Sequence, residues 1–379
     1  MMATTFNRWV RYNLFATPAS SVVSVVAIPL TLYVAYLAAK WTFVQAHWSV
    51  ISDNLPVLLV GTFPRDELWR AVTAGAVLSV LVGITLGLVL MNGRWKSAAG
   101  IGGLCVALAL ATLGVHQPAL AGTAACLALI GLSRAGASFF PSLTRAIGLC
   151  WVVGLGAICS VLAPAGVSNW GGLLASVLVT AIATLLSIPL GILLAFGKNS
   201  RFPSVRIVCA GYVELVRSVP VISIVYWAWI IVPLVLPPQF HIADLVRGIA
   251  AFVLFYGAYT AEYVRAGIQG VSRGQSEAAQ ALGFNKLDEN FIIVLPQALK
   301  AVIPALVGNV LDLFNNVPAL FIIGLTDFLK AGQTVLANPQ YSGSQYEVYI
   351  FLFAVYLAIG ALISYVARRI ELRMSRGSR

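Results

Sequence analysis

A polar stretch at residues 271–290 separates two long apolar runs and reads VSRGQSEAAQALGFNKLDEN. Ser272 and Gln275 have the spacing of a capping box, which begins a helix. Glu277 suits the positive N-terminus of such a helix, and Gly283 suits a left-handed residue that ends it. The pattern therefore predicts a short polar helix at about 273–287, held outside the membrane by the two apolar runs.

Three small or apolar residues of this helix, Ala278, Ala279 and Leu282, have the spacing of one helix face. Small side chains allow the backbone of another protein to approach closely. The face is therefore a candidate attachment point for a cytoplasmic partner. A solvated loop helix without a partner is the alternative interpretation.

Two acid–base pairs lie inside apolar runs at a spacing of three residues, namely Glu214 with Arg217 and Glu262 with Arg265. Residues at this spacing can meet on one helix face. Charged groups in a membrane helix are costly and mark function by default. The pairs could fix helix ends, or they could take part in gating or coupling.

The apolar run at about 291–324 contains Asp312, Asn315, Asn316 and Pro318. A continuous helix of this length would overshoot the bilayer, so we predict a break near Asn315 to Pro318. Broken helices expose backbone groups near the middle of the membrane, where solutes bind. Neutral amides can pair with a carboxylate or an ammonium, so the break is a candidate solute pathway. A kink satisfied by neighbouring helices is the alternative.

Metal and nucleotide chemistry are not expected. The five cysteines and three histidines lie far apart and without ligand spacing. The nearest nucleotide candidate, Gly191 to Lys198, has five residues between its glycines and Asn199 where a hydroxyl should follow. The sequence also lacks the spacing of a nucleophile with its base, so no enzyme activity and no cofactor are predicted.

The composition of the chain indicates the kind of fold that must position these residues. The 379 residues are 60% hydrophobic and 10% charged, against about 45 to 50% and about 25% in a soluble domain. The sequence predicts an all-α polytopic membrane protein with about ten spans, each able to cross ~30 Å of hydrocarbon. The predicted spans lie at about 21–39, 71–91, 99–115, 118–133, 146–164, 171–197, 207–236, 248–268, 291–324 and 346–367.

Lys and Arg predict the orientation. With the N-terminus inside, 19 of the 24 basic residues lie at the cytoplasmic side, and an even number of spans returns the C-terminus there. The first apolar run lacks a clear cleavage site before Lys40, so we interpret it as a retained helix rather than a signal peptide. The distribution of the basic residues between the loops is therefore more informative than the net charge of +11, and no nucleic-acid partner is predicted.

The polar helix and the residues after it resemble the EAA signature of bacterial ABC-importer permeases. Glu277, Ala278 and Ala279 are followed by Gly283 and then by Ile293, Leu295 and Pro296 at the spacing of that signature. Residues 187–198, 212–221 and 257–271 are similar to the polar amino-acid branch of the family. The likeness covers about 170–367, and the overall length resembles the long-form subunit of broad-specificity and glutamate/glutamine-type importers.

The resemblance implies a permease core of five spans at 170–379, preceded by an extra block of about five helices at 1–169. It also implies that Glu277, Ala278, Ala279, Leu282 and Gly283 couple the chain to a cytoplasmic ABC ATPase dimer. A second permease, an external solute-binding protein and an amino-acid solute are the other implied partners, and the implied location is the bacterial inner membrane.

One stretch of the chain departs from the family pattern, and one rival function is an alternative. Amino-acid permeases commonly carry a Lys-Asp-Thr/Ser-like stretch where this chain has Asn315, Asn316, Val317 and Pro318, so solute contacts cannot be transferred directly. A stand-alone secondary transporter or channel is the rival function, with the predicted break as its ion or solute site. That rival would be expected to show inverted repeats, which the two halves of the sequence lack.

Overall fold

The structure is a computed structural model of the chain and describes residues 12–90, 118–137, 143–237, 239 and 242–376. Within these segments the chain forms fifteen α-helices and no β-strand. The helices are α1 Pro18–Lys40, α2 Ser49–Asp53, α3 Leu55–Val60, α4 Leu68–Leu90, α5 Pro118–Ala137, α6 Leu143–Leu162, α7 Gly172–Lys198, α8 Pro203–Arg217, α9 Val221–Val235, α10 Asp244–Gly270, α11 Arg273–Ala281, α12 Lys286–Asp288, α13 Leu295–Asn316, α14 Phe328–Leu336 and α15 Gln345–Arg376.

The chain divides into two compact units, Met1–Val50 and Ile51–Arg379. The first unit contains α1, which begins with a capping box. The backbone N–H of Ser20 donates to the Thr17 hydroxyl at 3.1 Å, and the N–H of Thr17 donates to the Ser20 hydroxyl at 2.9 Å. Most of its apolar side chains are exposed. An apolar helix exposed in this way is suited to contact with lipid.

The predicted class, an all-α membrane protein, is confirmed, but the predicted count of about ten spans is not. Six helical segments of the described chain are long and apolar enough to cross a membrane, or seven if one bent pair counts as a span. The six are Pro18–Gln45, Arg65–Val89, Ala146–Ala165, Gly172–Lys198, Lys286–Ile323 and Gln345–Leu372.

The other predicted spans are not among these six segments, and the reason differs from one span to the next. The segment 99–115 lies outside the described residues. Helix α5 contributes only a short apolar stretch, Ala125–Arg134. Helix α10 is 27 residues long but is not among the six, because its acids, bases and tyrosines give it a polar side.

The predicted single span at 207–236 is two helices, α8 and α9, bent by 106°. The bend falls at Ser218–Pro220, where α8 ends and α9 has not begun. Pro220 lacks a backbone N–H and disfavours helical geometry in Val219, so the helix stops before it. The apolar run continues through this point, which is why hydropathy alone did not locate the bend.

Helix α10 packs against α7, α8, α9 and α13. Its residues Phe252, Tyr256 and Ala258 are fully buried. Glycines allow this close packing: a Cβ at Gly191 of α7 would lie 2.5 Å from the Thr260 side chain, and one at Gly267 of α10 would lie 2.7 Å from a carbonyl oxygen of α13. Helix α10 is therefore closely packed by its neighbours.

The predicted break in the span at 291–324 is a change of helix type instead. Helix α13 ends at Asn316 and continues directly as the 3₁₀ helix Val317–Ile323. Pro318 lies in the first turn of that 3₁₀ helix, where a missing N–H costs little. The whole segment Lys286–Ile323 therefore behaves as one long span of 38 residues, and Gly324 ends it with a φ of 77°.

The N-terminal end of α7 is hydrogen-bonded to the N-terminal end of α14 and to the residues just before it. The N–H of Gly172 donates to the carbonyl of Thr326 at 2.7 Å, and the N–H of Phe328 donates to the Ser176 hydroxyl at 3.1 Å. Asp327 caps α14 by accepting from the N–H groups of its first turn at 3.0 and 3.1 Å. These hydrogen bonds hold the N-terminal end of α7, which is the end far from Lys198, against α14.

Candidate functional site

Helix α11 ends as the sequence predicts. Gly283 has a φ of 82°, the N–H of Gly283 donates to the carbonyl of Gln280 at 3.0 Å, and the N–H of Phe284 donates to the carbonyl of Ala279 at 3.1 Å. This pair of bonds is a Schellman motif. The prediction of a left-handed glycine end is confirmed, although the helix stops at Ala281 and does not reach 287.

The predicted start of α11 is wrong in two respects. Ser272 is the N-cap, but its side chain makes no capping hydrogen bond, so no capping box forms with Gln275. The Gln275 side-chain oxygen accepts instead from Gln297 at 3.3 Å. Glu277 is the fifth residue of the helix and lies past the first turn, where the helix dipole has little effect on it.

The predicted face of α11 divides into an outer and an inner side. Glu277 and Ala278 are exposed, and Leu282 is 78% exposed. Ala279 is buried at 3% exposure, because its side of α11 packs against the π-helical turn Glu289–Val294. The outward surface of this segment therefore includes Glu277, Ala278 and Leu282, whereas Ala279 holds the helix onto its own chain.

A buried carboxylate, which the sequence did not single out, anchors α11. Glu289 is 1% exposed. Its Oε2 accepts from the Gln280 amide at 3.1 Å and its Oε1 from the Lys286 ammonium at 2.8 Å. The spacing of Lys286 and Glu289 indicated a pair, but the bond from α11 depends on the turn at Gly283. Glu289 thus ties α11 to the start of the long span.

Glu262 of α10 is the centre of an ion cluster. Its carboxylate accepts from Lys198 of α7 and, at 2.8 and 3.0 Å, from Arg265. Arg217 of α8 approaches it at 3.9 Å. The Glu262–Arg265 pair is the one that the spacing predicts, whereas Lys198 is 64 positions away in sequence and was not recognised. The cluster joins α7, α8 and α10.

The other predicted pair does not form. Glu214 is exposed and makes no ion pair or hydrogen bond through its side chain with any residue that the structure describes. Arg217 turns instead toward Glu262 and lies over the ring of Tyr259, 5.1 Å from its centroid. A spacing of three residues permits an ion pair, but tertiary contacts decide whether it forms.

Three of the predicted pathway residues lie at the end of α13. The Tyr256 hydroxyl of α10 donates to Asp312 Oδ2 at 3.0 Å, and the Asn316 amide donates to that hydroxyl at 3.1 Å. Asn316 also donates to the Asp312 carbonyl at 2.8 Å. Asn315 is exposed. The structure therefore brings Asp312 and Asn316 together through Tyr256 and leaves Asn315 and Pro318 outside that cluster.

A cavity of about 130 Å³ lies between α7, α10 and α13. Its wall is mainly apolar, but Asn309 donates to the Thr260 hydroxyl at 3.3 Å there, and the buried Thr184 hydroxyl has no partner among the described residues. The lining residues are Thr184, Ser187, Ile188, Thr260, Ile303, Leu306, Val307, Asn309, Val310 and Leu313. The sequence did not predict this cavity, because single Ser and Thr residues within apolar segments are not distinctive.

Metal-binding chemistry finds no support in the described part of the chain, where no three His, Cys, Asp or Glu side chains come together. Four of the cysteines are free there. Cys105, His116 and His241 lie outside the described residues.

The described helices define a polytopic membrane protein that holds a short polar helix, α11, beside the long apolar segment Lys286–Ile323. Residues 187–376 match the sequence model of the family described as "Binding-protein-dependent transport system inner membrane component". The chain belongs to this family.

Individual relatives agree with that assignment. The chain is 28% identical to the inner membrane amino-acid ABC transporter permease protein YhdY of Escherichia coli K12, over 97% of this chain and 93% of the relative. It is 27% identical to the glutamate/glutamine/aspartate/asparagine transport system permease protein BztC of Rhodobacter capsulatus, over 98% and 94%. The glutamate/aspartate import permease protein GltK of E. coli O6:H1 is 34% identical over 52% of this chain and 91% of its own length.

Among solved structures, the chain is similar to one described as "Crystal structure of an amino acid ABC transporter with histidines", with 25% identity and a TM-score of 0.48 over 53% of this chain and 92% of that one.

Membership of this family means that the chain is a membrane-integral permease subunit of an ABC importer. It is not itself an enzyme, since ATP is hydrolysed by a partner ATPase in this family. In general terms the family implies a partner permease, an ATPase and a solute-binding protein. The alternative of a stand-alone secondary transporter or channel has no support from these comparisons.

Proposed function

We propose that this chain transports amino acids, as one half of the membrane pathway of an ATP-driven importer. The support is that relatives matching nearly its whole length are named as amino-acid permeases. The names of these relatives include acidic amino acids and their amides. A broad range of amino-acid side chains is therefore the simplest expectation for this subunit.

The outward surface of α11 is the proposed contact with the cytoplasmic ATPase. The observation that carries this proposal is the exposure of Glu277, Ala278 and Leu282 on a helix that its own chain holds firmly. Glu289 and the Schellman end at Gly283 provide that hold. A partner that pushes on α11 would move α13 through α12 and the π-helical turn Glu289–Val294, which connect the two helices.

The proposed assembly contains a second, different permease with its own EAA helix, an ABC ATPase dimer and an external solute-binding protein. Both chain termini face the cytoplasm in this proposal, because 19 of the 24 basic residues lie on that side when the ten spans predicted from the sequence are used. Of those residues, Arg8, Arg11, Arg94, Lys96 and Arg379 lie outside the described part of the chain.

The proposed solute pathway runs along α10 and α13. Asp312 offers a carboxylate to an ammonium group, and Asn315 and Asn316 offer neutral donors and acceptors. Pro318 lies in the first turn of the 3₁₀ helix that follows them. The cavity of about 130 Å³ lies along the same two helices. The first block, residues 1–169, is proposed to lie outside this pathway.

Charge reversal on α11 tests the proposed coupling. Solute and binding protein together stimulate the ATPase activity of the complex. Glu277→Lys should lower this stimulated activity about tenfold or more, because the attachment surface loses a charged contact at its centre. Reconstituted complex in vesicles provides the measurement. Glu371→Lys is the control, since Glu371 is an exposed glutamate on α15, remote in sequence from α11. Full stimulation in Glu277→Lys would remove α11 from the coupling contact.

A further inference from the structure

Helix α8 carries a carboxylate, Glu214, and a guanidinium, Arg217, that do not pair with each other. Glu214 and Arg217 are three residues apart on one helix, so their Cβ atoms are about 5 to 6 Å apart on neighbouring positions of one face. Glu214 is exposed and has no side-chain partner among the described residues. The side chain of Arg217 is 40% exposed.

The contact with Glu262 leaves the N–H donors of Arg217 without a hydrogen-bond acceptor. Glu262 already accepts from Lys198 and from both Nε and Nη2 of Arg265. The Arg217 approach of 3.9 Å is too long for a hydrogen bond. Three cations thus share one carboxylate, and the five N–H donors of Arg217 make no hydrogen bond within the described chain.

Two further contacts hold Arg217 in place. Its guanidinium lies over the Tyr259 ring at 5.1 Å, and Val216 beside it packs on the buried residues Ala258 and Ala261 of α10. A guanidinium fixed against a ring keeps its planar fork, which binds a carboxylate through two hydrogen bonds. The geometry is that of a prepared carboxylate site.

Unpaired charges on a membrane protein need partners. Helices α8 and α9 together form an apolar, bent pair, and an unpaired carboxylate on such an element is costly. Leu215, the exposed residue that follows Glu214 in sequence, is apolar and supplies no partner. A ligand that carries an ammonium and a carboxylate a few ångströms apart would satisfy Glu214 and Arg217 at the same time.

We propose that Glu214 and Arg217 form a binding site for the main-chain zwitterion of an amino acid. Glu214 accepts from the α-ammonium group, and Arg217 donates to the α-carboxylate. Recognition of these two groups leaves the solute's side chain free, which is compatible with both acidic amino acids and their amides. This proposal rests on the proposed transport function and extends the proposed pathway from α10 to the neighbouring helix α8.

Direct binding to the purified permease–ATPase complex, without the solute-binding protein, tests the site. Radiolabelled glutamine should bind to the wild-type complex in equilibrium dialysis, and Glu214→Gln and Arg217→Gln should each weaken binding about tenfold or more. Arg206→Gln is the matched control, because Arg206 is an exposed arginine of the same helix without an ion pair in the described chain. Its affinity should equal that of the wild type.

Blocked ligands separate recognition from a merely structural role. Competition by glutamine with an amidated α-carboxyl group should be insensitive to Arg217→Gln but should still be weakened by Glu214→Gln. N-acetylated glutamine should give the reverse pattern. Added phosphatidylethanolamine, whose head group also combines an ammonium with an anion, should not displace glutamine if the site is specific for amino acids.

Several results would overturn the site. They are absence of binding to the wild-type complex, loss of binding in only one of the two variants, displacement of glutamine by the lipid, or dissociation of the two permeases in Glu214→Gln. The last result would show that the partner permease supplies the missing cation. Stimulation of the wild-type ATPase by loaded binding protein, measured in parallel, would show that the transport function stands even when the site fails.

Discussion

Asp327 illustrates how a single buried group sets a pH dependence. It lies at the N-terminus of α14, outside the spans, and is 2% exposed. Burial raises the pKa of its carboxyl group to about 6, although the N–H groups of Lys330 and Leu329 oppose that rise. Since this pKa exceeds the unfolded value of about 3.9, the folded state binds the proton more tightly and is favoured at low pH.

The contribution of Asp327 to stability should therefore be fully present below about pH 4 and lost as the pH rises through about 6. A shift of about two pKa units corresponds to about 3 kcal/mol. Asp327→Asn keeps an oxygen that can cap α14 but cannot ionise. Thermal unfolding in detergent at pH 5 and pH 8 should show the wild type losing more stability with rising pH than Asp327→Asn. Equal losses would contradict the assignment.

Individual residues were predictable where partners are close in sequence. The Glu262–Arg265 pair follows from its spacing, and the left-handed Gly283 follows from its place after a short helix. Lys198 and Tyr256 could not be predicted, because their partners, Glu262 and Asp312, belong to other helices. The failed pair of Glu214 with Arg217 shows the same limit, since Glu262 and Tyr259 of α10 draw Arg217 away.

At the scale of elements, the end of α11 depends on one backbone angle. Gly283 has a φ of 82°, and a Cβ there would meet no atom within 4 Å. Gly283→Ala should therefore act through strain alone, at about 1 kcal/mol. Gly274→Ala is the matched control, because Gly274 is helical and equally unobstructed and alanine favours helices.

Hydrogen exchange at residues 279–286 provides the measurement for this pair. Gly283→Ala should speed exchange at the N–H groups of Gly283 and Phe284, which close the Schellman motif. Gly274→Ala should leave them unchanged or slower. Protection in Gly283→Ala equal to that of the wild type would show that the end of α11 is held by Glu289 and not by the glycine.

Apolar length predicted most of the elements but not their interruptions. Spans α4, α6, α7 and α15 were recognisable because each presents a long apolar run. The bend between α8 and α9 was missed, because Pro220 lies within a continuous apolar run. Conversely, Pro318 was expected to break α13, yet it falls where a 3₁₀ turn accommodates it. A proline's effect thus depends on its position in the turn, which composition does not specify.

At the scale of the whole molecule, the two halves of the sequence differ in their relatives. The family sequence model covers residues 187–376. The GltK relative aligns over 91% of its own length with only 52% of this chain, so a permease of this family can be built without the other half. The N-terminal residues 1–169 are therefore expected to add a separate layer of helices and not a wall of the solute pathway.

Cysteine labelling tests this division. In a variant whose five cysteines are replaced by alanine, Val152→Cys places a thiol on α6, where the native side chain is 52% exposed. A charged maleimide should not label it in membranes, because lipid or a neighbouring helix covers an apolar helix of this kind. Asn315→Cys on α13 is the control and should react, at a rate that transported glutamine lowers. Reaction at Val152→Cys that glutamine slows would place the N-terminal helices in the pathway.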